Sequence, residues 1–302
     1  MKRLAIAAMI CAVCGYVLVG GLSYVPAWPL TLIEHFRVQY MFGGIAVAVA
    51  AFVLRSRWFD VALVAWLVAL LQVVPDLGAS ANTRDGTHVR VVFSNVLASN
   101  TRYDDVVALI RDTQPDIVAL VETRAPWFEK VAPALEGYQR IEHDRPDNFG
   151  LGLYAKGTVN GRIEHFGGEV PTIVAAVEVR GVKMTFIVTH PWPPTEPEFA
   201  IAQMKHLSEL AQYVRTLHAP LVIAGDLNAT PWSRQYRKLV GTTGLCDSRA
   251  GFGYQGSYPA GSLLERIPID HVLISCDVGV HERRIGPDVG SDHLPVIVDL
   301  RF

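Results

Sequence analysis

Charge is what the first quarter of the chain lacks. Residues 4–22 hold no Asp, Glu, Lys or Arg, and the runs VQYMFGGIAVAVAAFVL (38–54) and WFDVALVAWLVALLQVVP (58–75) hold only Asp60. That absence excludes the amphipathic helix of a soluble surface, which needs a polar face. Each run approaches the roughly 20 apolar residues that cross a bilayer core. The sequence therefore predicts an anchor of three transmembrane helices within residues 1–75, at about 4–22, 38–54 and 58–75. The first run has the basic start of a signal peptide, but two more apolar runs follow it, so an anchor is a better reading than a cleaved leader.

A basic excess is missing as well. Of 27 Lys and Arg and 29 Asp and Glu, five and two lie in residues 1–75, which leaves 22 basic against 27 acidic side chains beyond them. Proteins that grip duplex nucleic acid present a basic face, so this balance argues against a nonspecific nuclease. Cysteine is scarce too. Cys11 and Cys14 sit in the first apolar run and read as packing residues rather than a redox pair. Cys246 and Cys276 could pair outside the cytoplasm, but nothing in the sequence fixes their geometry, and they are expected as free buried thiols. No Cys or His pair has zinc-ligand spacing.

The few charges beside the apolar runs set an orientation. Lys2 and Arg3 precede the first run and Arg55 and Arg57 separate the other two, whereas the first connection carries Arg37 alone. The more basic ends stay in the cytoplasm, which sends everything after about residue 76 to the far side.

Residues 76–88 have the Gly, Ser, Asn and Asp content of a linker. Beyond it, VRVVFSNV, PDIVALVET, GLGLYAK, TIVAAVEV, KMTFIVTH, PLVIAGDLN, IDHVLIS and HLPVIVDL read as strands. YDDVVALIRDTQ and EPEFAIAQMKHLSELAQYVRTL have helical apolar spacing. Strands in two series, each with an inserted helix, predict an α/β domain over 89–302: two mixed sheets packed face to face with helices outside.

Polar residues collect at the ends of those strands: Asn95, Glu122, His190, Asp226, Asn228, Asp270, Asp292 and His293. One alone is bland, since DLN could cap a helix starting at TPWSRQYRKLV. Repetition at VET, VTH, IDH and SDH strains that reading. Oxygen donors suit Mg²⁺, with Mn²⁺ the alternative, and make Glu122 and Asp292, supported by Asn95, the candidate metal ligands. Histidines beside carboxylates can neutralise a phosphoryl oxygen or move a proton, so the set points to metal-assisted attack of water on a phosphoester.

NV (95–96), VET (121–123), TH (189–190), GDLN (225–228), IDHVLIS (269–275) and SDHLPV (291–296) together resemble the ordered motifs of the endonuclease/exonuclease/phosphatase superfamily, the deoxyribonuclease I-like fold. The resemblance spans nearly all of 89–302 and implies a four-layered α/β sandwich and divalent-metal-dependent phosphoester hydrolysis. Glu122 resembles the family's metal-binding glutamate, with Asn95 beside it and Asp292 a further metal-site residue. His190 resembles the histidine that contacts the scissile phosphate, and Asn228 the amide that holds a phosphoryl oxygen. Asp226 resembles the aspartate that handles the water or leaving-group proton, and Asp270 the carboxylate that orients His293. The general base is left open between Asp226 and His293. VET lacks the Gln that often precedes the glutamate.

Together with the three apolar runs the resemblance suggests a bacterial-type protein of the inner or plasma membrane; the charge asymmetry places its catalytic domain outside the cytoplasm, and anchoring of an acidic domain favours a lipid-headgroup or other envelope phosphoester as substrate. A tethered nuclease is the second reading, favoured if Arg234, Arg237, Lys238 and Arg249 gather at the cleft. A catalytically idle binding module is the third. The bilayer and the phosphoester are the expected partners, and no obligate protein partner is inferred. Trp127, Trp192 and Trp232 each follow a motif or lie near one and are expected to pack, with a place lining the cleft as the alternative for any of them. His88, His143, His165, His206, His218 and His281 are expected at the surface or in turns, His271 on the face opposite Asp270, and His35 without a partner.

Overall fold

The computed structural model describes all residues except 1, 23, 24, 26, 78, 79 and 219, and the backbone alone for 2–7, 9, 72 and 75–77. The side chains of Lys2 and Arg3, on which the predicted orientation leans, lie outside the described residues.

An N-terminal helical unit comprises α1 (Lys2–Leu22), α2 (Leu30–Ile33), a tight turn at Glu34–Phe36, α3 (Arg37–Val53) and α4 (Phe59–Leu77). Small residues let its helices meet: Ala48, Ala51 and Ala62 pack with Val13. Leu18, Phe42, Phe52, Val64 and Leu71 face outward instead. The expectation of three spans is corrected here. Among the described residues one helical run, Leu30–Val53, is long and apolar enough to cross a membrane. The described apolar parts of α1 and α4, Ile10–Leu22 and Phe59–Leu71, are shorter.

The rest of the chain forms β1 (His88–Asn95), α5 (Tyr103–Thr113), β2 (Ile117–Val121), α6 (Ala125–Val131), β3 (Gln139–His143), β4 (Leu151–Ala155), β5 (Thr158–Phe166), β6 (Val170–Val179) and β7 (Val182–Thr189). It continues through α7 (Pro197–Val214), β8 (Leu221–Asp226), α8 (Arg234–Thr243), β9 (Cys246–Asp247), β10 (Asp270–Ile274), β11 (Gly279–Ile285) and β12 (Val296–Arg301). One sheet runs β11-β12-β1-β2-β4-β3 and the other β5-β6-β7-β8-β10-β9. Val91, Phe93, Ile173, Phe186 and Val296 fill the space between them. α5 and α6 cover the first sheet through Ile110, Trp127 and Leu120. α7 and α8 cover the second through Leu210, Leu239 and Ile223. This is the expected arrangement of two mixed sheets flanked by helices. The central strands read as unbroken apolar runs because each has the other sheet on one face and helices on the other.

Two strand pairs are parallel, β1 with β2 and β7 with β8. Parallel neighbours require a crossover, here α5 and α7, and so end at the same edge of the sheet. Asn95 pairs with Val121, directly before Glu122, and Thr189 pairs with Gly225, directly before Asp226. β10 is antiparallel to β8 and sets Asp270 opposite Asp226. β12 is antiparallel to β1 and starts opposite Phe93, so His293 precedes it at that same edge. Any side chain at Gly225 would collide with the Thr189 carbonyl, so glycine lets β7 and β8 close up at this edge.

Several local expectations change. Cys246 and Cys276 form a disulfide, with Cα atoms 5.0 Å apart. Cys246 pairs with Ile274 across the short β9, which brings it beside the residue two positions further on. The bond links residues 30 apart in sequence. Replacing both cysteines by serine is expected to lower unfolding free energy by about 3 kcal/mol, read by denaturant titration of the purified chain. Cys11 and Cys14 are exposed on α1 rather than packed. His206 is fully buried, its Nε2 2.7 Å from Thr189 Oγ1. His35 does have a partner, with Nδ1 3.2 Å from Thr230 Oγ1. The linker is tied down: Asn82 Nδ2 donates to the Cys276 and Val278 carbonyls at 2.8 and 3.0 Å. α8 is capped by the Ser233 hydroxyl, which accepts from Tyr236 N, and not by Asp226 or Asn228.

Candidate active site

The strand ends converge on Asp226, which is buried at the base of a cleft of about 470 Å³. Asn95 joins the two sheets there. Its Nδ2 donates to Glu122 Oε1 at 2.8 Å and to Asp226 Oδ2 at 3.1 Å, while its Oδ1 accepts from Leu97 N. Glu122 also accepts from Ala98 N through Oε2. On the second sheet Asp226 Oδ1 accepts from Asn228 N at 2.9 Å, a tight turn that presents the amide beside the carboxylate. Asn228 Nδ2 donates to Pro191 O, and Gln203 of α7 donates to the carbonyls of Leu227 and Asn228.

Glu122 and Asn228 both have left-handed backbone, with φ of 57° and 50°. Asparagine visits this region readily, whereas glutamate at such an angle costs about 1 kcal/mol. Strain of this kind persists where surrounding contacts hold it, as the Asn95 and Ala98 bonds hold Glu122.

Two histidines close the constellation. His190 Nδ1 donates to the Asn148 carbonyl at 3.2 Å. Its Nε2 stands 3.6 Å from Asp226 Oδ2 and 3.8 Å from Glu122 Oε1. His293 Nδ1 donates to Asp270 Oδ2 at 2.9 Å, and its Nε2 faces Asp226 Oδ2 at 3.6 Å. Burial alone would strip the proton from His293, but the flanking Asp270 and Asp226 carboxylates outweigh it and push its pKa up to about 10. Burial, with Asp270 adding repulsion, raises Asp226 even though both histidines pull it down. The centre thus pairs a held imidazolium with a carboxylate that accepts a proton more readily than an exposed one.

Two groups have ligand atoms within 4.8 Å of one another: Glu122, His190 and Asp226, and Asp226, Asp270 and His293. The second is engaged in the His293–Asp270 ion pair. The first offers two carboxylates bridged by an amide, a hard-oxygen set that fits a divalent cation. The predicted metal residues Asn95 and Glu122 are in direct contact. Asp292 lines the cleft but belongs to neither group, with its Oδ1 3.5 Å from Ser291 Oγ. The predicted catalytic residues His190, Asp226, Asn228 and His293 line the same cleft, with Asp270 buried behind His293.

Tyr258, Phe149 and Asn148 join the site without having been read from the sequence. The Tyr258 ring lies 4.7 Å from that of His293, tilted by 39°, and Phe149 lies 5.5 Å from the His190 ring. They come from loops whose sequences carry no periodic signal. Trp192 lines the cleft, stacked on Phe199, while Trp127 and Trp232 are buried. His271 points away from Asp270 and sits 2.8 Å from the Ala229 carbonyl. Among the described residues no Lys or Arg lines the cleft. Arg249 is buried against Asp247, Lys238 faces a groove beside α7, and Arg234 meets Glu34 through its backbone.

Comparison with known structures agrees with this architecture. An endonuclease/exonuclease/phosphatase family protein from Bacteroides thetaiotaomicron superposes with a TM-score of 0.61 at 19% identity, covering 72% of this chain and 99% of that one. D. rerio TDP2 complexed with a single-strand DNA product gives 0.60 at 17% identity, covering 72% and 100%. The mannosyl-6-phosphatase of Bacteroides thetaiotaomicron gives 0.56 at 18% identity, covering 71% and 100%. At these identities the likeness establishes the fold. No curated protein matches in sequence. The sequence does match the Endonuclease/Exonuclease/phosphatase family over residues 79–293, a span that holds every site residue from Asn95 to His293, and the chain belongs to that family.

Proposed function

We propose that the protein is a membrane-anchored, Mg²⁺-dependent phosphoester hydrolase that acts outside the cytoplasm on an envelope phosphoester, a lipid headgroup being the leading candidate. The observation that carries this is the unbroken set Glu122–Asn95–Asp226–His293–Asp270 at the base of one cleft. Glu122, with Asn95 beside it and Asp292 at the rim, would hold the cation, with Mn²⁺ as the alternative, which leaves the Asp226 carboxylate to take a proton. When bound, such an ion polarises the phosphoryl group and offsets its charge.

The protein's own groups account for the remaining steps. Asn228 and His190 face the phosphoryl oxygens and fix the ester. Water attacks phosphorus, and its proton passes to Asp226, whose raised proton affinity suits a base. His293, kept protonated by Asp270, faces the developing charge and delivers a proton to the leaving oxygen as the ester P–O bond breaks.

Anchoring is supported by Leu30–Val53, by α4, which packs along α3 and brings Val73 back beside Val38 and Trp232, so that the pair would cross as a hairpin, and by the outward apolar side chains of α1, α3 and α4. An extracytoplasmic site is supported by the Cys246–Cys276 disulfide, since such bonds persist in oxidising compartments. It is also supported by contact between the first helix connection and the catalytic loops, because Trp28 Nε1 donates to Pro194 O and Trp232 Nε1 donates to His35 O. Arg55 and Arg57 lie at the opposite end of α3, about 25 Å away. A cleft without Lys or Arg suits a small ester better than duplex nucleic acid.

The test is turnover of a chromogenic phosphodiester and the matching monoester by the full chain in detergent with Mg²⁺. Hydrolysis of either is expected, with the ratio ranking diester against monoester. A folded chain that turns over neither, nor a lipid-anchored version of either, contradicts the proposal.

A further inference from the structure

The outer end of the membrane-spanning run touches the same loops that carry the catalytic residues. Trp28 bonds to Pro194, which follows His190; His35 bonds to Trp232, which follows Asn228; Gln39 Nε2 donates to Arg266 O, ahead of Asp270. The loops around the site therefore face the helical unit.

The segment 259–266 lies between these two features. A bridge between Tyr258 and Ile267 closes it at the base. Tyr258 packs against His293 with its ring tilted, and Ala260 N donates to Asp292 O at 2.7 Å, so its first half rests on the catalytic centre. Its last residue, Arg266, ties back to the Pro259 and Ala260 carbonyls and receives Gln39 from α3. Cross-tied in this way, the loop holds Leu263 and Leu264 out at 81% and 85% exposure. Two adjacent leucines so displayed forgo burial that a bilayer interface would return. Beyond the Trp192–Thr195 wall of the cleft, Ile201 and Met204 are also exposed on the first turns of α7 and share a cavity with Trp28, a residue type favoured at membrane interfaces.

We propose that segment 259–266 is a second bilayer contact: Leu263 and Leu264 enter the near leaflet and, with Ile201, Met204 and Trp28, hold the cleft against the headgroups, so the hydrolysed ester is one carried by a lipid. This rests on the phosphoester-hydrolase reading and on α3 and α4 entering the bilayer as a hairpin. The occupant is the bilayer because the patch continues the surface through which that hairpin enters it.

The test uses the full chain in nanodiscs of phosphatidylethanolamine and phosphatidylglycerol. With Cys11 and Cys14 changed to serine, Leu263→Cys carries an environment-sensitive fluorophore. Lipids with brominated acyl chains are expected to quench it; an unquenched, water-exposed label overturns the contact. In parallel, a para-nitrophenyl phosphodiester borne on diacylglycerol is compared with bis(para-nitrophenyl) phosphate in solution. Wild type is expected to prefer the lipid-borne ester. The variant Leu263→Asp/Leu264→Asp is expected to lose about tenfold or more on that ester and to keep soluble turnover within about twofold, from the transfer free energy of two leucines. A preference for the soluble ester, an equal fall on both, or no fall on either overturns the proposal. Failure of wild type on both esters instead removes the hydrolase reading, while the quenching arm still reports whether the loop meets lipid.

Discussion

Asp226→Asn is expected to reduce kcat/KM by about a thousandfold or more while leaving the melting temperature unchanged or higher, since loss of a positioned base typically removes between about a hundredfold and ten-thousandfold. Asp226 is the point at which both sheets and both histidines meet: Asn95 Nδ2 donates to it at 3.1 Å, and His190 and His293 each face its Oδ2 at 3.6 Å. Its carboxylate is buried with Glu122 and Asp270 nearby, and burying a charge costs stability unless it is fully paired. The amide keeps the shape and drops the charge, and His293 keeps its bond to Asp270. Chromogenic ester kinetics and a thermal melt on the same preparation check this. A variant that retains turnover places the base elsewhere, and one that unfolds assigns Asp226 a structural role.

His293→Gln is expected to damage both properties at once, with a loss of about a hundredfold or more in turnover and about 3–5 kcal/mol in stability. The imidazolium stands between Asp270, at 2.9 Å, and Asp226, at 3.6 Å. Without it two buried carboxylates, set opposite one another by the β8–β10 register, face each other unscreened. Adding Asp270→Asn removes one of those charges, so the double variant should recover much of the stability and none of the turnover. Denaturant titrations of the two single variants and the double variant give the coupling directly. Additive stability losses would show that the pair does not act as a unit.

The contrast between these variants reflects what could be read from sequence. Asn95, Glu122, His190, Asp226, Asp270 and His293 are legible because each ends a short apolar run, and a polar residue there has no core to enter. The central strands β1, β2, β7, β8, β10 and β12 are legible for the same reason. β3 and β5 were not, because edge strands with one exposed face mix polar and apolar residues without a clean period. The Cys246–Cys276 bond depends on a two-residue strand, too short to leave a pattern. His206 reads as one polar position of an amphipathic helix, and only the approach of Thr189 in the folded chain buries it. Hydropathy alone reads three comparable apolar runs, whereas among the described residues Leu30–Val53 is the one helical run long and apolar enough to cross a membrane. The docking of residues 28–39 on the catalytic loops is tertiary and left no local trace.

The most direct measurement is turnover of the chromogenic phosphoester before and after removal of divalent cations, for wild type and Glu122→Gln. The account predicts activity that disappears with chelator, returns with Mg²⁺ in wild type, and stays low in Glu122→Gln at the same Mg²⁺. Turnover that survives chelation, or a Glu122→Gln variant that matches wild type, would contradict a metal-dependent site built on Glu122.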